Sequence, residues 1–238
     1  MSGLALVTGS GGGIGSEICR KLDFLGYSVI GLDLVETPGI STITCDISEA
    51  DFPNQLPQFE NGQVSLIVHT AAYQPAAEIH QPEDREWEQA LLTNLLSVQK
   101  LASKYRKDLE STRGTIITIS SIHSIATSPK MAAYAASKAA LNSWVRSAAI
   151  ELGPKVAVIG LAPGAIDTPK LREGLQRWPL ETQTAVLERL VSKTPMGRLG
   201  SAAEVAEWVS FLASPNARFA TGSTIVLDGG VSAWLGSE

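Results

Sequence analysis

Leu6-Val7-Thr8-Gly9-Ser10-Gly11-Gly12-Gly13-Ile14-Gly15 is an apolar run that breaks into a glycine cluster and then continues into a segment of helical period. Glycines at such a junction permit a tight turn. They also let the backbone and a helix N-terminus close on an anion, whose charge favours the positive end of the helix dipole. A glycine cluster alone would equally describe a flexible loop. Here the run before it and the segment after it supply the strand–turn–helix context that a pyrophosphate-binding loop requires.

Outward from this unit, short apolar runs alternate with helical segments to the end of the chain, the pattern of βα units feeding a parallel sheet buried on both faces. Strands are expected near residues 4–8, 28–32, 42–45, 64–69, 114–120, 156–161 and 223–227. Helices are expected near 14–25, 82–109, 131–152 and 202–213, with shorter pieces inside 48–59 and 171–193. Gly26 and Gly153-Pro154 stand where helices should end and Pro82 where one should begin, while Ser201-Ala202-Ala203-Glu204 spells a capping box. Residues 169–200 are the one long interruption between strands. Three Pro-bounded pieces and Trp178 fall inside it, and insertions of this length commonly serve as lids or binding loops.

Composition bounds the rest. With 238 residues, 44% of them hydrophobic and 18% charged, the chain should close one large core as a single domain. A net charge of −5 without any Lys/Arg run leaves no footprint for nucleic acid or an anionic membrane. Cys19 and Cys45 have neither CxxC nor metal-ligand spacing, so they read as reduced packing residues, and no metal site is expected. No apolar run could span a bilayer, and Met1-Ser2-Gly3 leads into an apolar stretch too short for a secretory signal. A cytoplasmic location is the expectation.

Two further segments carry chemistry. Asp33 closes the second apolar run, about 20 residues beyond the glycines, where a carboxylate can accept hydrogen bonds from an adenosine ribose and repel a 2′-phosphate. A plain loop acid is the alternative. Tyr134 and Lys138 stand at i and i+4 of an expected helix, so their side chains emerge on one face. An ammonium beside a phenol favours tyrosinate and draws its pKa down from about 10 toward the working range, which suits a proton donor and acceptor. Two surface residues of an amphipathic helix would show the same spacing. What distinguishes them is Gly114-Thr115-Ile116-Ile117-Thr118-Ile119-Ser120-Ser121, an apolar run ending in two hydroxyls thirteen residues before Tyr134.

Together, the Thr-Gly-x-x-x-Gly-x-Gly loop, the Ser-bearing strand end and Tyr-x-x-x-Lys resemble the classical short-chain dehydrogenase/reductase family, over essentially the whole chain from Thr8 to Leu227-Asp228-Gly229-Gly230. The resemblance implies a doubly wound Rossmann fold, with seven mainly parallel strands in the order 3-2-1-4-5-6-7 and helices on both faces. It implies a catalytic set of Asn94, Ser121, Tyr134 and Lys138: Tyr134 exchanging a proton with the substrate oxygen, Ser121 holding that oxygen, Lys138 binding the nicotinamide ribose, and Asn94 helping to hold a relay water. The cofactor is expected to be NAD, contacted by Gly9, Ser10, Gly13, Ile14, Asp33, Asp46, Ile47, Ala71, Ala72, Tyr134, Lys138, Pro163, Gly164, Ile166 and Thr168. Asp46 would reach the adenine amino group or, alternatively, cap a helix. Ile166 and Thr168 would meet the carboxamide.

One departure concerns the fourth strand. Family members usually carry Asn-Asn-Ala-Gly where this chain has His69-Thr70-Ala71-Ala72. Thr70 can still bond a neighbouring strand, Ala72 fits if the turn needs no positive φ, and His69 reads as a packed residue. His123, Lys170, Arg172 and Arg177 are candidates to touch substrate. Family members usually pair through helices corresponding to residues 82–109 and 131–152, so a homotetramer is expected. The activity implied is NAD-dependent oxidation of a secondary alcohol or reduction of its ketone. The alternatives are an NADPH-dependent 3-oxoacyl thioester or carbonyl reductase and a non-catalytic NAD-binding regulator, the last disfavoured because all four family catalytic positions are filled.

Overall fold

The computed structural model describes residues 3–59, 63–80, 84–176 and 178–233. Its strands are β1 (Leu4–Thr8), β2 (Ser28–Asp33), β3 (Ser41–Thr44), β4 (Val64–His69), β5 (Thr115–Ile119), β6 (Ala157–Pro163), β7 (Ile166–Asp167), β8 (Gly200–Ser201) and β9 (Thr224–Leu227). Its helices are α1 (Gly13–Phe24), α2 (Phe52–Gln55), α3 (Asp84–Leu91), α4 (Ser97–Lys104), α5 (Arg106–Thr112), α6 (Ala132–Leu152), α7 (Pro169–Leu175), α8 (Leu180–Ser192) and α9 (Ala202–Leu212).

Seven strands form one sheet in the order β3-β2-β1-β4-β5-β6-β9, and every pairing is parallel. This is the expected Rossmann order, with β9 as the seventh strand. The central apolar runs are continuous because β1, β4, β5 and β6 each feed two cores at once. Leu6, Ile67, Ile116 and Val158 pack on one face with Val98 and Leu101 of α4 and Leu141 and Val145 of α6. Their successors Val7, Val68, Ile117 and Ile159 pack on the other with Ile18 and Leu22 of α1 and Val205 and Val209 of α9. Successive side chains of a strand point to opposite faces, so neither face could tolerate polar alternation.

The strand order reverses between β1 and β4, the switch point where an open α/β sheet offers a crevice beyond its carboxyl ends. The expected helix stops are present: α1 ends before Gly26, which takes φ +86°, α6 ends at Gly153, and Ser201 and Glu204 form the capping box of α9. Pro82 lies outside the described residues. The long expected helix at 82–109 is instead α3, a π-helical turn (Leu92–Leu96) and α4, followed after a break at Tyr105 by α5. The extra residue in the π turn re-aims Asn94 inward. The insertion between β6 and β9 starts and ends in a two-residue parallel bridge, Ile166–Asp167 with Gly200–Ser201, which ties the two ends of α7 and α8 together.

Candidate active site

A cleft of about 840 Å³ runs across the carboxyl ends of the strands. At one end lies the glycine turn. Gly9 takes φ +68°, and a Cβ there would fall 2.8 Å from the Ala71 backbone, so the two loops meet only because the side chain is missing. A Cβ on Gly13 would come within 3.0 Å of Thr168, which sets the start of α7 directly on this turn. Asp33 is fastened between the loops: its Oδ2 accepts from Gly11 N at 2.8 Å and its Oδ1 from Leu34 N at 2.7 Å. Asp46 lines the same end with Ile47, but its Oδ1 accepts from Ser48 N (2.9 Å) and Ser48 Oγ (2.6 Å) in a local turn. The anticipated helix cap does not form, since α2 begins only at Phe52.

Two candidates are not brought to the cleft wall. Ser10 is fully buried and bonded to Thr37 Oγ1 at 2.9 Å, occupying space that Gly31 leaves open. Asn94 is also buried, and its amide is spent within the protein: Oδ1 accepts from Tyr73 N (2.8 Å), and Nδ2 donates to Tyr73 O (2.9 Å) and Ser137 Oγ (2.8 Å). It clamps the loop after β4 onto α6 beside Tyr134, and a direct side-chain role at the cleft gives way to that.

At the other end the wall carries Ser121, Tyr134, Lys138, Pro163, Gly164 and Ile166, while Ala71 and Ala72 after β4 and Thr168 before α7 line the stretch beside the glycine turn. Lys138 is almost wholly buried, donates from Nζ to Ile119 O at 2.8 Å, and lies 5.8 Å from the Tyr134 ring centre. Burial pushes its ammonium down to about 7, and the charge of Lys170 adds to that effect. Burial also raises the Tyr134 phenol above its ordinary value, while its hydrogen bond with Ser121 pulls part of the shift back. Burial, not the expected depression by Lys138, thus sets the direction of this phenol's shift.

His123 lines the cleft with its ring edge-on to Tyr134, centroids 5.8 Å apart, and burial lowers its pKa, so it is neutral near pH 7. Leu171, Leu175, Trp178, Val186 and Leu190 face the cleft from α7, α8 and their connection, whereas Leu180 turns outward. Lys170 also lines the cleft, while Arg172 points away and pairs with Asp167 at 2.8 Å. Arg177 lies outside the described residues. Gly11, Gly12, Gly15, Leu34 and Val35 also line the cleft, though they were not among the expected cofactor contacts. The glycine cluster itself signalled the first three, and the place of Leu34 and Val35 directly after Asp33 was the signal for the other two.

The departure on β4 is accommodated. Thr70 Oγ1 donates to Thr8 O at 2.5 Å, and Ala72 needs no positive φ. His69 is fully buried, its Nδ1 2.8 Å from Thr8 Oγ1. That hydroxyl already accepts from Thr70 N and Ala71 N, both at 3.1 Å, so its own proton goes to Nδ1 and the imidazole proton resides on Nε2. Nε2 makes no hydrogen bond of good geometry; the Thr93 and Asn94 backbones only partly offset the effect of burial and of Lys138, which push the group down to about 3. A depressed folded-state pKa means that the unfolded chain binds the extra proton between pH 6.5 and 3, so stability is lost as pH falls through that window. From pH 7 to pH 5 this single group should cost about 2 kcal/mol. Denaturant titrations of wild type and His69→Asn at both pH values measure it, and an equal acid-induced loss in the variant contradicts it.

The cleft fits a nicotinamide dinucleotide: a turn without side chains for a pyrophosphate, a fixed carboxylate for a ribose, and two hydroxyls and an ammonium at the far end. Among the described residues there is no group of three metal-ligating side chains, and no helix is long and apolar enough to cross a membrane. A family model described as enoyl-(acyl carrier protein) reductase matches residues 9–232. The chain belongs to the short-chain dehydrogenase/reductase family, whose members are oxidoreductases that bind a nicotinamide cofactor. It is 32% identical to a 3-oxoacyl-(acyl-carrier-protein) reductase of Pseudomonas aeruginosa, covering 96% of each chain, and 29% identical to 3beta-hydroxysteroid dehydrogenase 1 of Eggerthella lenta, covering 98% of this chain and 95% of that one. The ligand-free aldohexose dehydrogenase of Thermoplasma acidophilum superposes with a TM-score of 0.90 at 25% identity, over 100% of this chain and 96% of the other.

Proposed function

We propose that this protein is an NAD-dependent oxidoreductase that interconverts a secondary alcohol and its ketone, with Tyr134 as acid/base. One observation carries the reading: Ser121, Tyr134 and Lys138 share one wall of the cleft whose other end holds Asp33. When bound, the nicotinamide supplies or accepts the hydride. The chain's own residues do the rest. Ser121, bonded to Tyr134, positions the substrate oxygen; the Tyr134 phenol gives or takes its proton; and Lys138, anchored on Ile119 O, holds the ribose beneath. Desolvation keeps the phenol protonated at neutral pH, which suits donation to a carbonyl oxygen. His123 lies beside Tyr134 at the substrate end.

The whole chain is read as one Rossmann-type domain with residues 169–200 as its substrate cover, and Leu171, Leu175 and Trp178 give that cover an apolar underside. Buried, free Cys19 and Cys45 suit a reducing, cytoplasmic setting. A panel of secondary alcohols, hydroxy acids and sugars offered with NAD tests the reading. Reduction of NAD by at least one class is expected, and saturable NAD binding without turnover on any would favour the non-catalytic regulator. A second reading, reduction of a 3-oxoacyl thioester with NADPH, is favoured by the name of the Pseudomonas relative, and Asp33 opposes its cofactor choice.

A homotetramer is the expected assembly. Leu91, Leu96 and Ile150 are exposed between α3 and α6, and elsewhere Trp208 and Phe211, whose rings meet edge-on, and Phe219 are also exposed. A tetramer of two-fold symmetry requires two distinct self-complementary faces. Light scattering should give four times the 25.2 kDa chain mass, Phe219→Glu should lower it to a dimer, and a wild-type monomer at micromolar concentration would rule the assembly out.

A further inference from the structure

Two cations line the cleft among the described residues, Lys138 and Lys170, and the two lining carboxylates, Asp33 and Asp46, both stand at the adenosine end. Lys138 lies deep beside Tyr134 and is engaged with Ile119 O. Lys170 is placed differently. It follows Thr168 and Pro169, the residues that a Cβ on Gly13 would touch at 3.0 and 3.1 Å, so α7 begins against the glycine turn. From there its Nζ crosses the cleft and donates to Ala72 O at 2.8 Å on the opposite wall. The side chain therefore spans the waist between the glycine turn and the loop after β4.

An ammonium has three donors, and that single neutral carbonyl is the acceptor the described residues offer it. Glu173, one turn along α7, exerts a favourable field on Lys170 but does not line the cleft, and Lys138 lies close enough for the two positive charges to oppose each other. Such a waist is short of negative charge. The glycine turn, Ser10-Gly11-Gly12-Gly13, has backbone N–H groups but no base of its own.

We propose that Lys170 is a clamp carried by the insertion, which pairs with the pyrophosphate oxygens of the bound dinucleotide and so couples closure of α7 and α8 to cofactor binding. The inference rests on the nicotinamide-enzyme reading above. Backbone donors then hold the pyrophosphate from the glycine side and the Lys170 ammonium from the insertion side, and the anion relieves the repulsion between the two lysines.

Fluorescence titration of NADH against wild type, Lys170→Met and Lys170→Arg, in low and high salt, is the test, with adenosine as a phosphate-free probe. The methionine variant should bind NADH at least tenfold more weakly in low salt, with a smaller deficit in high salt. Its adenosine affinity should be unchanged, and arginine should restore most of the loss. Hydrogen exchange across α7 and α8 should slow on adding NADH to wild type and not to Lys170→Met. NADH affinity within twofold of wild type, with the exchange protection retained, overturns the clamp. So does a defect confined to substrates bearing a carboxylate, which would turn the ammonium toward the substrate. Failure of the wild-type protein itself to bind NADH would bring down the underlying reading rather than the role of Lys170 within it.

Discussion

Tyr134→Phe should reduce turnover below a few per cent of the wild-type rate while leaving NAD affinity nearly intact. The substitution keeps a ring packed edge-on against His123 and removes one hydroxyl, the group that bonds Ser121 and faces the cleft. That hydroxyl touches neither the glycine turn nor Asp33, so the adenosine and pyrophosphate contacts survive. Loss of a positioned proton donor typically costs about 10²–10⁴ in rate. Lys138→Ala should damage both binding and turnover, because it removes the buried ammonium on Ile119 O and opens a cavity beside Tyr134. Steady-state rates paired with equilibrium NAD titrations separate the two effects. A phenylalanine variant keeping more than a few per cent of the rate would remove Tyr134 from the acid/base role.

NAD should be preferred over NADP by at least tenfold in kcat/KM, with Asp33 as the cause. Its carboxylate is held by Gly11 N and Leu34 N, so it is fixed in position before any ligand arrives. Charge-assisted hydrogen bonds to ribose hydroxyls contribute roughly 1.5–3 kcal/mol when well formed, and each 1.4 kcal/mol is about tenfold. A 2′-phosphate would forfeit those bonds and bring a second anion to the same place. The following residues, Leu34-Val35-Glu36, offer no cation, and neither does the glycine turn. Asp33→Ala should narrow the preference mainly by weakening NAD, and Asp33→Arg should tip it toward NADP. A wild-type preference for NADP would contradict the role given to this carboxylate.

The sheet was legible because its central strands are buried on both faces: runs such as Thr115–Ile119 have no polar alternation. The β7–β8 bridge was not, since two residues cannot display a period. The π turn was also hidden. One extra residue turns the apolar stripe by about 100°, but Leu91, Leu92, Leu95 and Leu96 are apolar on either side of the shift and mask it, so only Asn94, a poor helix former among leucines, marked it. At the site, residue type and spacing located Ser121, Tyr134, Lys138 and Asp33, because their chemistry demands those side chains. Where packing decides, the sequence was silent. Ser10 sits in the motif yet turns inward, because Gly31 on the adjacent strand leaves it room. The upward shift of the Tyr134 phenol likewise comes from burial, which the Tyr-x-x-x-Lys spacing does not show.

Label transfer from a secondary alcohol carrying deuterium on its carbinol carbon tests the central claim most directly. Wild-type protein turning over such an alcohol with NAD should place the deuterium on the nicotinamide ring of the reduced cofactor, and Tyr134→Phe should place none there. Reduced cofactor without the label, or equal labelling by the phenylalanine variant, would contradict direct hydride transfer assisted by Tyr134.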